Sequence, residues 1–180
     1  CSMTVTVVDN INPTITCPAN ITVNVDAGSC VATVASLGTP TTADNCTVAS
    51  VTNNHPSTTY TLGTTTVIWT VTDGSGNTAT CSQTVTVVDN IVPTITCPSN
   101  ITVNVGAGTC VAAVTVPAAV TADNCSVASV VNNFNNTANA SGTYPLGTTT
   151  VLWTVTDASG NTATCSMTVT VVDNINPTIT

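Results

Sequence analysis

Aspartate is the residue whose spacing in this sequence points most clearly to chemistry. Seven of the eight acidic residues recur at matching positions: at the end of a Thr/Val strand, in a D-N-C loop and in a D-x-S-G-N turn. In a β-sandwich, this loop and turn lie where the chain enters, and the strand-end aspartate of the preceding domain reaches the same end. The sequence therefore predicts two clusters, one at each domain junction. The first contains Asp9, Asp44 and Asp73 near Asn45 and Asn77, and the second contains Asp89, Asp123 and Asp157 near Asn124 and Asn161.

Calcium is the chemistry that such clusters would support. Three carboxylates about 5 Å apart repel by roughly 3 kcal/mol per pair at an effective dielectric of 20, and the chain has no Lys or Arg to offset this. Carboxylate and amide oxygens are the ligands that Ca²⁺ prefers. We predict an inter-domain Ca²⁺ site at each junction. The predicted ligands are Asp9, Asp44, Asp73 and Asn77 at the first junction, and Asp89, Asp123, Asp157 and Asn161 at the second. The alternative is that these residues only form turns, which Asp and Asn favour.

Enzymatic groups do not recur with the repeat. His55 is the single histidine, and the second repeat has Phe134 in its neighbourhood. No Ser or Cys lies beside a repeated base, and no paired carboxylates occupy an apolar pocket as acid–base catalysis requires. We expect no catalytic residues and no enzymatic activity.

Cysteine spacing indicates a disulfide framework. The nine cysteines include four in each repeat, at similar separations and without a C-x-x-C pair of the kind that binds zinc. Such frameworks form in oxidising compartments outside the cytoplasm. Four cysteines allow three pairings, so spacing alone leaves the connectivity open. The repeat cysteines are Cys17, Cys30, Cys46 and Cys81, then Cys97, Cys110, Cys125 and Cys165.

Internal repetition sets the domain organisation. Residues 1–16 and 165–180 are identical, and residues 81–96 differ from them at two positions. We read this segment as the last strand of one domain, a linker and the first strand of the next, so the chain looks like an excerpt from a tandem array. The predicted boundaries are a strand and linker of a preceding repeat at 1–12, repeat 1 at 13–92, repeat 2 at 93–176, and the start of another repeat at 177–180.

The charge and composition of the chain exclude some classes of binding partner. A net charge of −8 without Lys or Arg leaves no permanently charged cation to neutralise nucleic-acid phosphate or to attract an anionic membrane. No apolar run reaches the roughly 20 residues of a membrane-spanning helix. The Thr-rich, nearly uncharged surface needs another cover, either covalent glycans or lateral packing against neighbouring copies in a fibre. Six glycosylation sequons are present, at Asn20, Asn45, Asn100, Asn124, Asn135 and Asn139.

Period-2 alternation predicts an all-β fold. Residues 20–25 and 30–34 read as a hairpin, and Val67, Trp69 and Val71 share the face of a long strand. Short strands separated by turn signals, with no helical period, indicate tandem immunoglobulin-like β-sandwich domains stapled by disulfides.

The motifs also match a known family. T-C-P, D-N-C, Y-x-L-G-T-T-T-V and W-T-V-T-D-x-S-G-N-T-A-T-C-S occur in order in both repeats, and this string resembles the hyalin repeat (HYR). The resemblance implies an extracellular module with an immunoglobulin-like fold, found in adhesive and surface proteins. It also implies the pairs Cys17–Cys81 and Cys97–Cys165, which leaves Cys30–Cys46 and Cys110–Cys125.

Two functions are compatible with these features. We expect a structural repeat of a secreted filament or cell-surface stalk, with continuous covalent repeats rather than strands exchanged between subunits. The alternative is an adhesin-type module that recognises glycans or another cell through its loops. Exposed aromatic residues in loop 126–146, where Phe134 and Tyr144 are available, would favour the second function.

Overall fold

A computed structural model describes residues 1–179 of the chain. It divides into two compact units, one formed by Cys1–Asp89 and the other beginning at Asn90. The predicted repeat start at 177–180 is described up to residue 179, and Thr180 lies outside the described residues. The described residues include no helix long and apolar enough to cross a bilayer.

Unit 1 contains eight strands, and β7 and β8 are by far the longest. The strands are β1 Thr14–Thr16, β2 Ile21–Asn24, β3 Val31–Thr33, β4 Thr41–Ala43, β5 Val48–Asn53, β6 Thr59–Thr61, β7 Gly63–Asp73 and β8 Thr78–Val88.

The strands of unit 1 form a sandwich around the β7–β8 hairpin. One sheet has the order β2-β8-β7-β5, in which β2 runs parallel to β8 and the other pairs are antiparallel. The antiparallel pairs β1–β4 and β3–β6 form the second layer, and β1 and β6 contact both long strands. Unit 1 is therefore an all-β, immunoglobulin-like sandwich.

Unit 2 repeats this arrangement. Its main sheet has the order β10-β16-β15-β13, and the pairs β9–β12 and β11–β14 complete it. The strands are β9 Thr94–Thr96, β10 Ile101–Asn104, β11 Val111–Val114, β12 Val120–Ala122, β13 Val127–Asn132, β14 Gly142–Pro145, β15 Gly147–Asp157 and β16 Thr162–Val172.

The buried face of each unit follows from the alternation in its two long strands. Val67 and Val71 of β7 are fully buried and Trp69 is 8% exposed, as the shared face predicts. On β8, Gln83 and Val85 are fully buried beside them. Branched side chains that alternate on two paired strands bury one continuous apolar stripe. This burial is the main favourable contribution to the folding free energy of a domain of this size.

A buried amide distinguishes the core of unit 1. The Gln83 side chain accepts a hydrogen bond from Trp69 Nε1 at 3.0 Å and donates to the carbonyls of Ala19 (2.7 Å) and Leu37 (2.9 Å). Unit 2 has Met167 at this position, and its Trp153 Nε1 donates instead to Ala138 O at 3.2 Å. Gln83 therefore hydrogen-bonds the β1–β2 and β3–β4 connections of unit 1 to the core.

One disulfide staples the layers of each unit. Cys17, after β1, is bonded to Cys81 of β8, and Cys97 is bonded to Cys165 in the same way. These loops of 64 and 68 residues are long, and the chain-entropy model assigns a loop of that size about 4 kcal/mol of stabilisation.

The other two predicted disulfides, Cys30–Cys46 and Cys110–Cys125, are wrong. Cys46 and Cys110 are exposed free thiols, whereas Cys30 and Cys125 are disulfide-bonded. The physical reason is the length of the sandwich. Cys30 follows the turn next to the end of β8, where Val25 N donates to Val88 O at 3.0 Å, whereas Cys46 precedes β5 beside the start of β8.

Two strand predictions also differ from the structure. Residues 20–25 and 30–34 do not form a hairpin, because β2 pairs with β8 and β3 pairs with β6. The connection between them crosses from one layer to the other. Residues 1–8 form no strand, although their copy at 81–88 does. That copy lies between β2 and β7 of its own unit, and residues 1–8 have no such neighbours in the described chain.

Paired tyrosines give a stability test of the two cores. Tyr60 is buried and its hydroxyl has no hydrogen-bond partner among the described residues, whereas the Tyr144 hydroxyl donates to Ala140 O at 2.6 Å. We expect Tyr144→Phe to destabilise unit 2 by about 1 kcal/mol, and Tyr60→Phe to leave unit 1 unchanged or more stable, because a buried unpaired hydroxyl costs about 1–3 kcal/mol. Hydrogen exchange in β7 and β15 measures each unit separately. Equal losses in the two variants would contradict the assignment.

Candidate metal centre

The turn from β7 to β8 is built around the Asp73 carboxylate. Asp73 is 2% exposed, and its Oδ1 accepts hydrogen bonds from the backbone N–H of Ser75 (2.9 Å) and Asn77 (2.8 Å). Its Oδ2 accepts from Asn77 Nδ2 at 2.7 Å. Gly74 N donates to Thr47 O at 2.9 Å, so the loop before β5 lies against this turn. We call this side of unit 1 its incoming end.

The segment that leads into β1 is bound to the same turn. Asn77 Nδ2 also donates to the carbonyl oxygens of Asp9 (3.2 Å) and Ile11 (3.3 Å). Asp9 Oδ1 accepts from Ile11 N at 3.1 Å, which curves the segment and directs the carboxylate towards the unit. The amide of Asn77 therefore holds the incoming chain and Asp73 together.

The D-N-C loop supplies the third carboxylate. Asp44 Oδ2 accepts from Cys46 N at 2.9 Å, an Asx-type turn of the kind that short acidic side chains favour. Asn45 Nδ2 donates to Asp9 Oδ1 at 3.3 Å. This loop and the incoming segment thus contact each other directly.

Asp9, Asp44 and Asp73 form one cluster, as the sequence predicts. Each offers a carboxylate oxygen, and these oxygens lie within 4.8 Å of one another. Asp9 Oδ2 and Asp44 Oδ1 are buried and have no hydrogen-bond partner. A buried carboxylate oxygen normally has a hydrogen bond or a metal, and the chain has no Lys or Arg. The two oxygens therefore have free lone pairs beside a third carboxylate.

Contacts at this end shift the pKa values of the Asp73 carboxyl and of the Cys46 thiol. Desolvation raises the pKa of the Asp73 carboxyl, but hydrogen bonds from the side chain and backbone of Asn77 and the backbone of Ser75 and Gly76 outweigh it, so the pKa is lowered. The Cys46 thiol hydrogen-bonds to Asp9, and this contact and the charge of Asp9 raise the thiol pKa. The Asp73 carboxylate thus remains ionised near neutral pH, and the Cys46 thiol remains protonated.

Unit 2 repeats the local chemistry. Asp157 Oδ1 accepts from the backbone N–H of Ser159 (2.9 Å) and Asn161 (2.7 Å), and its Oδ2 accepts from Asn161 Nδ2 at 2.8 Å. Asn161 Nδ2 also donates to Ile91 O at 3.4 Å. A carboxylate oxygen of Asp123 lies within 4.8 Å of one of Asp157. The turn, loop and incoming backbone of unit 2 therefore match those of unit 1.

Asp89 occupies the position of Asp9 in the repeat. It is the last residue of unit 1 and directly follows β8, as Asp173 directly follows β16. Its participation in the second predicted cluster stays a prediction.

The pKa of the Asp157 carboxyl is shifted in the same way as that of Asp73. Desolvation raises the pKa of Asp157, but the hydrogen bonds from Asn161, Ser159 and Gly160 outweigh it, so the pKa is lowered.

The predicted glycosylation sites fall into two groups. Asn20 and Asn100 are exposed at matching positions, and each side-chain oxygen accepts a backbone hydrogen bond, from Thr84 N and Thr168 N respectively, both at 2.9 Å. Among the described residues, neither amide nitrogen donates a hydrogen bond that attachment of a sugar would break. The other four sequons lie in the acidic loops or in the loop before β14: Asn45, Asn124, Asn135 and Asn139.

The aromatic residues considered for catalysis or binding pack inward. His55 stacks on Tyr60 with ring centroids 4.3 Å apart, and Phe134 stacks on Tyr144 at 4.1 Å. The correspondence of His55 with Phe134 is thus a packing equivalence. Tyr144 is fully buried, and Phe134 packs against the core of unit 2, so the loop before β14 does not present an aromatic surface.

Sequence reasoning missed two parts of this site. The backbone carbonyls of Asp9 and Ile11 are brought to the turn by Asn77, and only the recurrence of Asn at the end of the D-x-S-G-N motif could have indicated this. The Cys46 thiol was assigned to a disulfide, yet it lies free beside Asp9.

Comparisons with known proteins identify relatives over the whole chain. Hyalin from Strongylocentrotus purpuratus is 32% identical over 99% of this chain, and hyalin from Lytechinus variegatus is 35% identical over 83% of it. The chain spans only 15% and 28% of the lengths of these relatives.

A solved structure of fibronectin(III)-like modules of CbhA from Clostridium thermocellum is 17% identical, with 89% of this chain and 94% of that chain covered and a TM-score of 0.36. An overlap of this size carries no argument about function. The family model described as HYR domain matches residues 8–87 and again residues 88–171. With the two equivalent sandwiches and their recurring acidic turns, these matches show that the chain belongs to the HYR domain family and contains two successive copies of the domain.

Proposed function

We propose that this chain is a structural segment of an extracellular filament or cell-surface stalk, and that Ca²⁺ fixes the incoming segment of each repeat to its sandwich. The observation that carries the proposal is the cluster in unit 1, where Asp9 Oδ2 and Asp44 Oδ1 are buried without hydrogen bonds beside Asp73. A cation bound there would join the incoming chain to two loops of the sandwich.

The size of the cluster suits Ca²⁺. Calcium lies about 2.3–2.6 Å from each ligand oxygen, so two ligands of one ion are at most about 5 Å apart. The three carboxylate oxygens lie within 4.8 Å of one another. A mixed set of carboxylates and nearby carbonyls with irregular geometry suits Ca²⁺ better than Mg²⁺, which requires near-octahedral ligands at about 2.1 Å. Asn77 is a positioning residue in this arrangement, because its amide holds Asp73 and the incoming backbone.

The second repeat offers the same residue types by position. Asp89, Asp123 and Asp157 correspond to Asp9, Asp44 and Asp73, and Asn161 corresponds to Asn77. We extend the proposal to these residues on the basis of the repeat and of the matching turn in unit 2. A chain of this kind would bind one Ca²⁺ per repeat.

An extracellular location is supported by the disulfides, which persist in oxidising compartments. A structural role is supported by the surface. Ile68 and Leu152 occupy the same position in the two repeats and are 42% and 40% exposed on the outer face of the main sheet. Together with the neutral Thr-rich surface, they suit lateral packing against neighbouring copies, and the exposed Asn20 and Asn100 suit glycans.

An adhesin-type role through aromatic loops has less support. The two aromatic residues that a ligand in loop 126–146 would contact, Phe134 and Tyr144, stack on each other and cover the core. The loop is held closed by its own hydrogen bonds, including Phe134 N and Asn135 N to Asn132 Oδ1.

Calcium binding is tested by thermal unfolding of the intact chain with CaCl₂ or with excess chelator. We expect Ca²⁺ at about 100 times its Kd to stabilise the folded state by about 2.7 kcal/mol per site. Asp44→Asn and Asp123→Asn together should abolish this gain. In chelator the same double variant should be at least as stable as the parent, because each substitution removes one repelling charge.

The control for this experiment is Asp26→Asn. Asp26 is the aspartate outside the repeating set, and its carboxylate accepts a hydrogen bond from Thr33 Oγ1 at 2.8 Å, so the variant should keep the full response to Ca²⁺. Identical melting curves of the parent chain in CaCl₂ and in chelator would overturn the metal proposal.

Acid unfolding in chelator tests the role of Asn77. Because the pKa of Asp73 is lowered in the folded state, its contribution to stability is present above the unfolded pKa of about 4 and is lost as pH falls through the lower folded value. Asn77→Ala removes the side-chain donor, so the Asp73 pKa should rise and unit 1 should unfold at higher pH. Carbon-13 NMR of the Asp73 carboxyl measures the pKa directly.

Ser75→Ala is the matched variant for the acid experiment. Ser75 contacts Asp73 only through its backbone N–H in this structure, so its substitution should leave the titration of Asp73 unchanged. An unaltered Asp73 pKa in Asn77→Ala would show that the amide does not stabilise the carboxylate.

A further inference from the structure

Two cysteine positions are free in one repeat and disulfide-bonded in the other. Cys46 and Cys110 are exposed free thiols. Cys125, which has the repeat position of Cys46, and Cys30, which has the position of Cys110, are disulfide-bonded. Each position is thus able to form a disulfide in this fold, and each is unpaired in only one of its two copies.

Cys46 lies where the chain comes into unit 1. Asn45 Nδ2 donates both to Asp9 Oδ1 (3.3 Å) and to Cys46 Sγ (3.4 Å), so one amide bridges the thiol and the Asp9 carboxylate. The thiol is therefore a direct neighbour of the aspartate in the incoming segment.

Cys110 lies where the chain leaves unit 2. It precedes β11 and lines a surface hollow together with Thr109 and the outgoing residues Asp173, Ile175 and Asn176. No disulfide partner within unit 2 is in reach, because Cys125 lies at the opposite end of the sandwich and Cys97 is bonded to Cys165.

Asp9 and Asp173 mark the same position of one repeated segment, since residues 1–16 and 165–180 are identical. In a tandem array, this segment leaves one repeat and enters the next. Its aspartate then has the cysteine equivalent to Cys110 on one side and the cysteine equivalent to Cys46 on the other. Cys110 and Cys46, the free thiols of the two repeats, are therefore complementary around the same aspartate.

We propose that Cys110 and Cys46 are covalent linkage sites for further copies of the repeat: the outgoing-end cysteine of one repeat forms a disulfide with the incoming-end cysteine of the next. This proposal rests on the tandem array proposed above but does not depend on the metal. Two S–H bonds break and one S–S bond forms, and the two electrons and two protons pass to a small-molecule disulfide such as oxidised glutathione, which becomes two thiols.

The test extends the chain without altering its junction. Because residues 165–180 repeat residues 1–16, residues 17–180 can be appended after Thr180 to give a continuous array with the natural segment at the seam. The array is refolded with oxidised glutathione, and free thiols are counted by alkylation under denaturing conditions and mass spectrometry. We expect three free thiols: Cys1, Cys46 of the first copy and Cys110 of the second copy. Peptide mapping should show Cys110 of the first copy bonded to Cys46 of the second.

Five free thiols in a folded array, with Cys17–Cys81 intact, would overturn the proposal. Disulfides between Cys46 residues of separate molecules would overturn it as well, because they are symmetric and not head-to-tail. Cys110→Ser in the first copy is the control, and it should leave Cys46 of the second copy reactive while the other bonds form normally. If the Cys110–Cys46 disulfide did not form, the calcium response of the array would be unchanged, so the two proposals are tested independently.

Discussion

Repulsion among carboxylates at the incoming end is the constraint on which the rest of this structure depends. Asp9, Asp44 and Asp73 lie close together in a protein without Lys or Arg. Backbone and amide donors satisfy some of the oxygens, and Asn77 supplies the central donor. Donors of this kind orient the carboxylates but do not remove their charge. Stability at this end is therefore linked to the ionic composition of the surroundings.

The hydrophobic core explains why the charges are held at such short distances. The β7–β8 hairpin buries its apolar stripe at Val67, Val71 and Val85, and the turn that closes the hairpin carries Asp73. The pairing of Val48 with Asp73 then brings the D-N-C loop alongside. Movement of Asp73 away from this loop would require the register of β7 to shift, which would turn the apolar face of β7 to water. Packing thus holds the charges close together, and the proposed cation would offset their repulsion.

The sequence was sufficient to predict features that depend on local periodicity or on a repeated motif. Alternation identified the inward face of β7, and the repeated turns identified the three aspartates of unit 1. The sequence was insufficient to predict which strands and which cysteines pair, because the topology of the sandwich determines these pairings. Residues 20–25 and 30–34 have the spacing of a hairpin, yet β2 pairs with β8 far along the chain. The Cys30–Cys46 pairing failed for the same reason, because a short sequence separation spans the full length of the sandwich. The hydrogen bonds of Gln83 depend on two loop carbonyls that no motif specifies.

The proposed disulfides between repeats would help an array of these domains to resist extension. Cys17–Cys81 and Cys97–Cys165 each stabilise one sandwich, but a bond inside a domain adds nothing to the linker that carries tension between domains. A disulfide across the linker places a second covalent path parallel to the backbone. Such a bond would hold the incoming segment beside the D-N-C loop even without a cation between the carboxylates. Divalent ions and disulfides would act on the same few residues, one reversibly with ionic conditions and the other with the redox state of the compartment.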